Sequence, residues 1–418
     1  MSSFLPKSSL LLPLANALEQ VAYNIMLMVM MLDMHASLLD GYTIVGMATI
    51  LHAFFPLLGG IFADKTSIGR AMNVGLALMV VGYAILLLPR SDGASFFIYF
   101  LSMLIVGTGR AFFTTNIYLA GTVTRSCFFA GLSIDNTGLA ILHFTSILGK
   151  CVASVLIVPL YSWLKGMEFE CISTSTAAYI MVMVLMLLVA SLYCLSRVGS
   201  RVVFVSTADV SSSVFKGAGK RLFFYFMLLA LFFLAFMHKD NVFTDLVAFS
   251  NNATSLRFIR LIALFPLLFV VIFVFSRLRY RGFYPVLSTV ISAGMSVAAL
   301  GFSILAIVTV GSEFTIAQLS TSNDTLSQPF VWLIVPSLMF MLSELLVVPA
   351  VISHLARLGG RKMCTRVAFF LFIVRFASIA TEAVVLLTGE LTLASFWFFS
   401  ALACVLSAIM LLCYRVQE

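Results

Sequence analysis

Long apolar runs alternate with short polar breaks along almost the whole chain. An apolar run of about 20 residues matches the thickness of a bilayer core when it is coiled as an α-helix. In lipid, only helices and closed barrels satisfy every backbone polar group. Twelve such runs occur: residues 8–32, 42–63, 70–88, 96–121, 137–163, 177–195, 221–237, 257–275, 283–310, 330–355, 364–387 and 393–413. The seventh is short, and its pattern also allows it to run on through Asp240 toward Phe249. The fold class expected is an all-α membrane protein of twelve transmembrane helices in two six-helix bundles.

The breaks between runs sort by charge. One alternate set carries Lys65 and Arg70, Arg125, the group from Arg197 to Arg221, Arg277 to Arg281, and Arg357 to Arg366, and is almost wholly basic. The other set carries Asp33 and Asp40, Asp92, Glu168 and Glu170, Asp240 and Asp245, Glu313 and Asp324, and Glu390, with Arg90, Lys165 and Lys239 among them. Basic loops stay on the cytoplasmic side. Both termini are therefore expected in the cytoplasm, with the protein multi-pass in a plasma or inner membrane. The one polar, flexible linker, rich in Ser and Gly, lies between the sixth and seventh runs. It divides the chain into an N-terminal bundle (1–196), a cytoplasmic linker (197–220) and a C-terminal bundle (221–418).

Composition agrees with that pattern. The 418 residues are 62% hydrophobic and 10% charged, whereas a soluble domain is about 25% charged and no more than about half apolar. The net charge of +8 gathers in a few loops, so it reads as topology and not as a nucleic-acid surface. Seven cysteines are scattered singly, with no Cys-x-x-Cys and no His/Cys cluster. Neither a metal nor a disulfide framework is indicated, and no cofactor is expected. Two glycosylation patterns, Asn252-Ala-Thr254 and Asn323-Asp-Thr325, fall in expected outer loops.

At the junction of the second and third runs stands Pro56-Leu-Leu-Gly-Gly-Ile-Phe-Ala-Asp-Lys-Thr-Ser-Ile-Gly-Arg70. Gly59 and Gly60 allow a neighbouring helix to come close, and Asp64, Lys65 and Arg70 mark a membrane face. The spacing of Gly60, Asp64, Gly69 and Arg70 resembles the loop between helices 2 and 3 of the major facilitator superfamily. That resemblance implies a gating role for these four residues, in a latch on the cytoplasmic side. A fainter echo repeats in the second half, where Phe275 precedes Gly282 as Phe62 precedes Gly69. Two such halves with a site between them are the architecture of this transporter class.

Ionisable side chains inside spans are expensive, and so are functional candidates. Glu19, Lys150, Glu344 and Arg375 fall near the middle of theirs; Arg110 and Glu382 read instead as ion pairs that fix packing. His52 and His143 read as hydrogen-bonded packing residues. Asn16-Ala-Leu-Glu-Gln-Val-Ala-Tyr-Asn-Ile-Met26, Gly107-Thr-Gly109 and Ser343-Glu-Leu-Leu-Val-Val-Pro349 resemble, in order, helix motifs 1, 4 and 10 of the proton-dependent oligopeptide transporters. The resemblance implies that Glu344 meets a substrate amine, that Tyr23 lines the pocket, and that Glu19 and Glu344 take part in proton coupling. The chain departs from the family at Asn16, Gln20, Asn24 and Phe112, where the motifs carry Glu, Arg, Tyr and Lys.

Glu19 thus keeps its acid without the family's cations. Lys150 is expected to replace the helix 4 lysine as its partner, and Arg375 to replace the helix 1 arginine as a bidentate clamp on a substrate carboxylate. Tyr23, Glu344, Arg375 and Lys150 form the expected substrate set. The function expected is secondary active transport of a small polar or zwitterionic solute, with di- or tripeptides and proton coupling implied by the resemblance. The alternative is a non-transporting receptor or scaffold on the same fold. No His-Glu-x-x-His, Gly-x-Ser-x-Gly or phosphate loop is present, which argues against an enzyme. The expected partners are a small-molecule solute, the lipid bilayer and protons, with no nucleic acid, and the chain is expected to be a monomer.

Overall fold

The computed structural model describes residues 8–36, 41–88, 95–126, 136–167, 173–199, 218–239, 253–280, 286–310, 331–357, 362–388 and 391–413. Most of the linker, Asn252, the sequon at Asn323, Gly282 and the stretch from Asp240 toward Phe249 lie outside them, as does the side chain of Glu382. Twelve α-helices occupy the described residues. They are α1 (Ser8–Ala36), α2 (Gly41–Lys65), α3 (Ile68–Ile85), α4 (Ser95–Ser126), α5 (Asn136–Gly166) and α6 (Thr174–Gly199), then α7 (Ala218–Phe236), α8 (Ala253–Tyr280), α9 (Leu287–Thr309), α10 (Val331–Arg357), α11 (Met363–Leu387) and α12 (Leu393–Cys413).

Each expected span is a helix. Most helices run a few residues beyond their apolar run at one or both ends. Among the described residues, eleven helices are long and apolar enough to cross a membrane. Large apolar side chains such as Phe97, Val184, Phe269 and Leu412 are exposed on their outer faces, as lipid-facing helices require. Prolines sit inside α1, α2, α5, α8 and α10, where neighbouring helices can satisfy the freed carbonyls. Helix α7 departs from the simple pattern: after Phe236 it tightens into a 3-10 turn, Met237–Lys239, whose three side chains are all buried.

The chain forms two compact units. The first joins Met1–Val210 to Leu355–Phe372, so that the start of α11 belongs with α1 to α6; the second joins Ser211–His354 to Ile373–Glu418. In the first unit α1 packs on α5 and α6, and α4 packs on α2 and α3. Close approach is built from small residues. A Cβ on Gly149 of α5 would lie 2.4 Å from the Ala17 carbonyl oxygen of α1, and one on Gly75 of α3 would lie 2.6 Å from the Gly109 oxygen of α4. Polar side chains add cross-ties: Asn16 donates to the Leu142 carbonyl at 2.8 Å, and Ser102 to the Gly82 carbonyl at 2.8 Å.

In the second unit α12 packs on α9 and α7. Its centre is aromatic. Phe302 of α9 stacks on Trp397 of α12 at 5.8 Å between ring centres and meets Phe340 of α10 at 4.6 Å. Phe236 of α7 reaches Phe340 edge-on. Such pairs add about 0.5–1.5 kcal/mol each beyond their buried area. They fix the end of α7, and with it the 3-10 turn that ends at Lys239.

Candidate functional site: two buried ion pairs and a helix clasp

In the first unit the mid-membrane charge is held by α1 and α4. Glu19 has no accessible side-chain surface and accepts from Arg110 Nε at 2.9 Å. Its second oxygen accepts from Gln20 Nε2 at 2.7 Å, and the side-chain amide oxygen of Gln20 accepts from Arg110 Nη2. The guanidinium also lies over the Tyr23 ring, 3.6 Å from its centre. Every part of this arrangement suits arginine: a planar fork for the two oxygens and a flat face for the ring. Further along α1, Tyr99 of α4 donates to Asp33, which ties the same two helices again.

This corrects the pairing expected from the sequence. The cation on Glu19 is Arg110, which sequence reasoning assigns to packing, and not Lys150. Sequence gives depth along a helix but not azimuth, and Arg110 lies on the α1-facing side of α4. Phe112 stands two residues on, about 200° round the helix. There it packs against Phe62 of α2, so the position aligned with the family's lysine points away from Glu19. Gln20 needs no charge of its own, because Arg110 supplies it and Gln20 only closes the hydrogen-bonded ring.

Lys150 sits mid-helix on α5, is exposed, and makes no ion pair or hydrogen bond with a described residue. His52 and His143 do hydrogen-bond within the packing, as expected. His52 Nε2 lies 2.7 Å from the Met103 carbonyl oxygen, and His143 lies 3.2 Å from the Tyr118 hydroxyl. His52 also accounts for the first glycine of Gly107-Thr-Gly109, since a Cβ there would fall 1.8 Å from the imidazole.

In the second unit Glu344 of α10 accepts from Lys239 Nζ at 2.8 Å. Lys239 is buried, with its ammonium 4.9 Å from the centre of the Phe236 ring. Sequence reasoning places Lys239 in an outer loop and misses this pair. The usable signal is the uncertain end of the seventh span, since a helix that runs on past Met237 carries Lys239 inward. Arg375 lies at the middle of α11 and is half-buried.

The third feature joins α2 to α11 within the first unit. Asp64, at the end of α2, accepts from the backbone N–H groups of Cys364 at 3.0 Å and Thr365 at 2.8 Å, and from the Thr365 hydroxyl. These are orphan donors of the first turn of α11, so Asp64 caps a helix remote in sequence and places a carboxylate at its positive end. Gly60, one turn earlier, permits the approach: a Cβ there would lie 2.4 Å from Ala368 Cβ and 2.7 Å from the Cys364 carbonyl oxygen. Ser67 caps α3 through the Arg70 N–H at 3.3 Å. Gly69 is buried beneath it and Arg70 is exposed.

No protein-family model matches the sequence, and no curated protein matches it. Solved structures do match nearly end to end. The E. coli fucose:proton symporter FucP superposes over 98% of this chain and 98% of its own, with TM-score 0.69 and 16% identity. A POT family transporter in complex with a thioalcohol-conjugated peptide covers 98% and 96%, with TM-score 0.67 and 15% identity. A bacterial homologue of the human drug peptide transporters PepT1 and PepT2 covers 97% of each chain, with TM-score 0.61 and 15% identity. The chain has the major facilitator fold and is an integral, multi-pass membrane protein.

Proposed function

We propose that the protein is a secondary active transporter of a small polar solute, working by alternating access. The observation that carries this reading is the Glu19–Gln20–Arg110–Tyr23 assembly. A network that desolvates two full charges in mid-membrane is expensive unless it serves function. Arg110 keeps some accessible surface while Glu19 keeps none, so the network presents its cation and hides its acid. The fold shared with FucP and the POT transporters supports the same reading, since those proteins are named as a symporter and as transporters.

Within it, Tyr23, Lys150, Glu344 and Arg375 are the solute-facing candidates, and Glu19 and Glu344 the candidate proton carriers. Gly60, Asp64, Gly69 and Arg70 are the candidate gate. The departures at Gln20 and Phe112 weigh less against transport than they do in sequence, because Arg110 restores the cation to Glu19. The test is uptake of radiolabelled alanine, dialanine, fucose and lactate into proteoliposomes, with and without an inward proton gradient. Uptake above protein-free vesicles, lost in Arg110→Gln, is expected. Saturable binding of a probe with no uptake of any would favour a receptor on the same fold.

A further inference from the structure

We infer that the solute is an organic anion, bound through its carboxylate by Lys150 of the first unit; this rests on the transporter reading above. The charges within each unit do not balance in the same way. Each of the two described mid-membrane acids already has a cation of its own. Glu19 holds Arg110 at 2.9 Å, and Glu344 holds Lys239 at 2.8 Å. Glu19 keeps no accessible surface, so a solute amine would have to displace Arg110 to reach it; Glu344 keeps 16% of its side-chain surface, and there an amine would have to compete with Lys239. Lys150 is the reverse case, an exposed ammonium with no anion among the described residues. A lone charge at mid-membrane is costly, and a solute carboxylate would relieve it.

The surroundings of Lys150 say which way it faces. Successive residues turn 100° about a helix. Leu148 and Val152, two positions either side of it, belong to the apolar, partly exposed strip of α5 that continues through Leu156, Pro159 and Trp163. Lys150 therefore lies on the far side from that lipid-type strip. Its own accessible strip runs to Ser154 and Tyr161; the buried residues Cys151 and Ala153 flank it, Ile157 beside it is buried, and the exposed Val158 lies about 80° round on one flank. Lys150 thus lies roughly opposite the centre of the apolar strip, with two hydroxyls on its own side. The accessible member of the neighbouring α1–α4 pair has the same sign: Arg110 retains 13% of its side-chain surface and Glu19 none. The first unit thus offers two cationic faces and no acidic one from these residues.

The test uses the purified full chain in nanodiscs. Thermal stabilisation is measured with lactate, succinate and glutamate, with dialanine and fucose, and with lysine and choline, for wild type, Lys150→Gln and Lys150→Arg. Stabilisation by at least one net anion is expected, with no comparable effect of the neutral, zwitterionic or cationic probes. The affinity should fall at least about tenfold in Lys150→Gln, as for loss of one charge-assisted contact, and should recover to within about threefold in Lys150→Arg. Three results overturn the inference: equal stabilisation by a neutral, zwitterionic or cationic probe, anion binding unchanged in Lys150→Gln, or no response to any of the anions. Uptake of the same probes into proteoliposomes separates the two readings. Lys150-dependent anion binding without uptake would remove the transporter and keep the anion site. Uptake of dialanine or fucose indifferent to Lys150→Gln would keep the transporter and remove the anion site.

Discussion

Replacing Asp64 by alanine should open the clasp on α11, and the size of the effect follows from its hydrogen bonds. Two backbone N–H groups, on Cys364 and Thr365, lose their acceptor, and so does the Thr365 hydroxyl. Loss of an N-cap is worth about 0.5–2 kcal/mol, and a hydrogen bond to a charged group about 1.5–3 kcal/mol. These overlap as measures of one cap, so about 2–3 kcal/mol is a fair total. At about 1.4 kcal/mol per tenfold, the open population rises roughly 30- to 140-fold. Cys364 reports it directly, since its side chain is fully buried in the clasp. With the other six cysteines changed to serine, the rate of maleimide labelling at Cys364 tracks the open fraction when reclosing is fast. Asp64→Asn keeps an acceptor oxygen and loses the charge, worth about 1 kcal/mol at a helix N-terminus, so its labelling should rise only several-fold. Labelling of Asp64→Ala at the wild-type rate, with helical content unchanged, would refute the capping argument. Should Asp64→Ala fail to fold, Asp64→Asn still gives a rate to compare.

Four further outcomes are expected. Gly107→Ala should lower thermal stability by about 1–3 kcal/mol, as overpacking does, and His52→Ala in the same chain should recover most of that loss; no recovery would mean that the clash is not with the imidazole. Arg110→Gln should destabilise by about 3–5 kcal/mol by stranding Glu19, while the double variant with Glu19→Gln should lose less than the sum of the singles, and strict additivity in thermal melts would dissolve the pair. Glu344→Gln should preserve expression and helical content but impair uptake of the transported probe, and unchanged uptake kinetics would take Glu344 out of the working site. Ser212→Cys should resist an impermeant thiol reagent on intact cells if the linker is cytoplasmic, in a chain without other exposed cysteines, whereas ready labelling would invert the topology.

The twelve helices were legible in the chain because hydrocarbon enforces a simple rule: a run of about 20 apolar residues has few options besides a spanning helix. The loop at Gly60 to Arg70 was legible for a similar reason, as small residues and a carboxylate at fixed spacing have few uses at a membrane face. What the sequence could not carry was azimuth and partner. Glu19 is recognisable as a buried acid needing a cation, yet depth along the helix favours Lys150, and only helix rotation brings Arg110 to it. Lys239 reads as an outer-loop charge, whereas the 3-10 turn after Phe236 carries it to Glu344. Asp64 reads as a latch residue, but that it caps α11, some 300 residues away, requires the approach at Gly60 and Ala368. One-dimensional hydrophobicity fixes which segments enter the membrane; which charges meet there depends on how the helices rotate and pack, and that is settled by contacts between residues far apart in the chain.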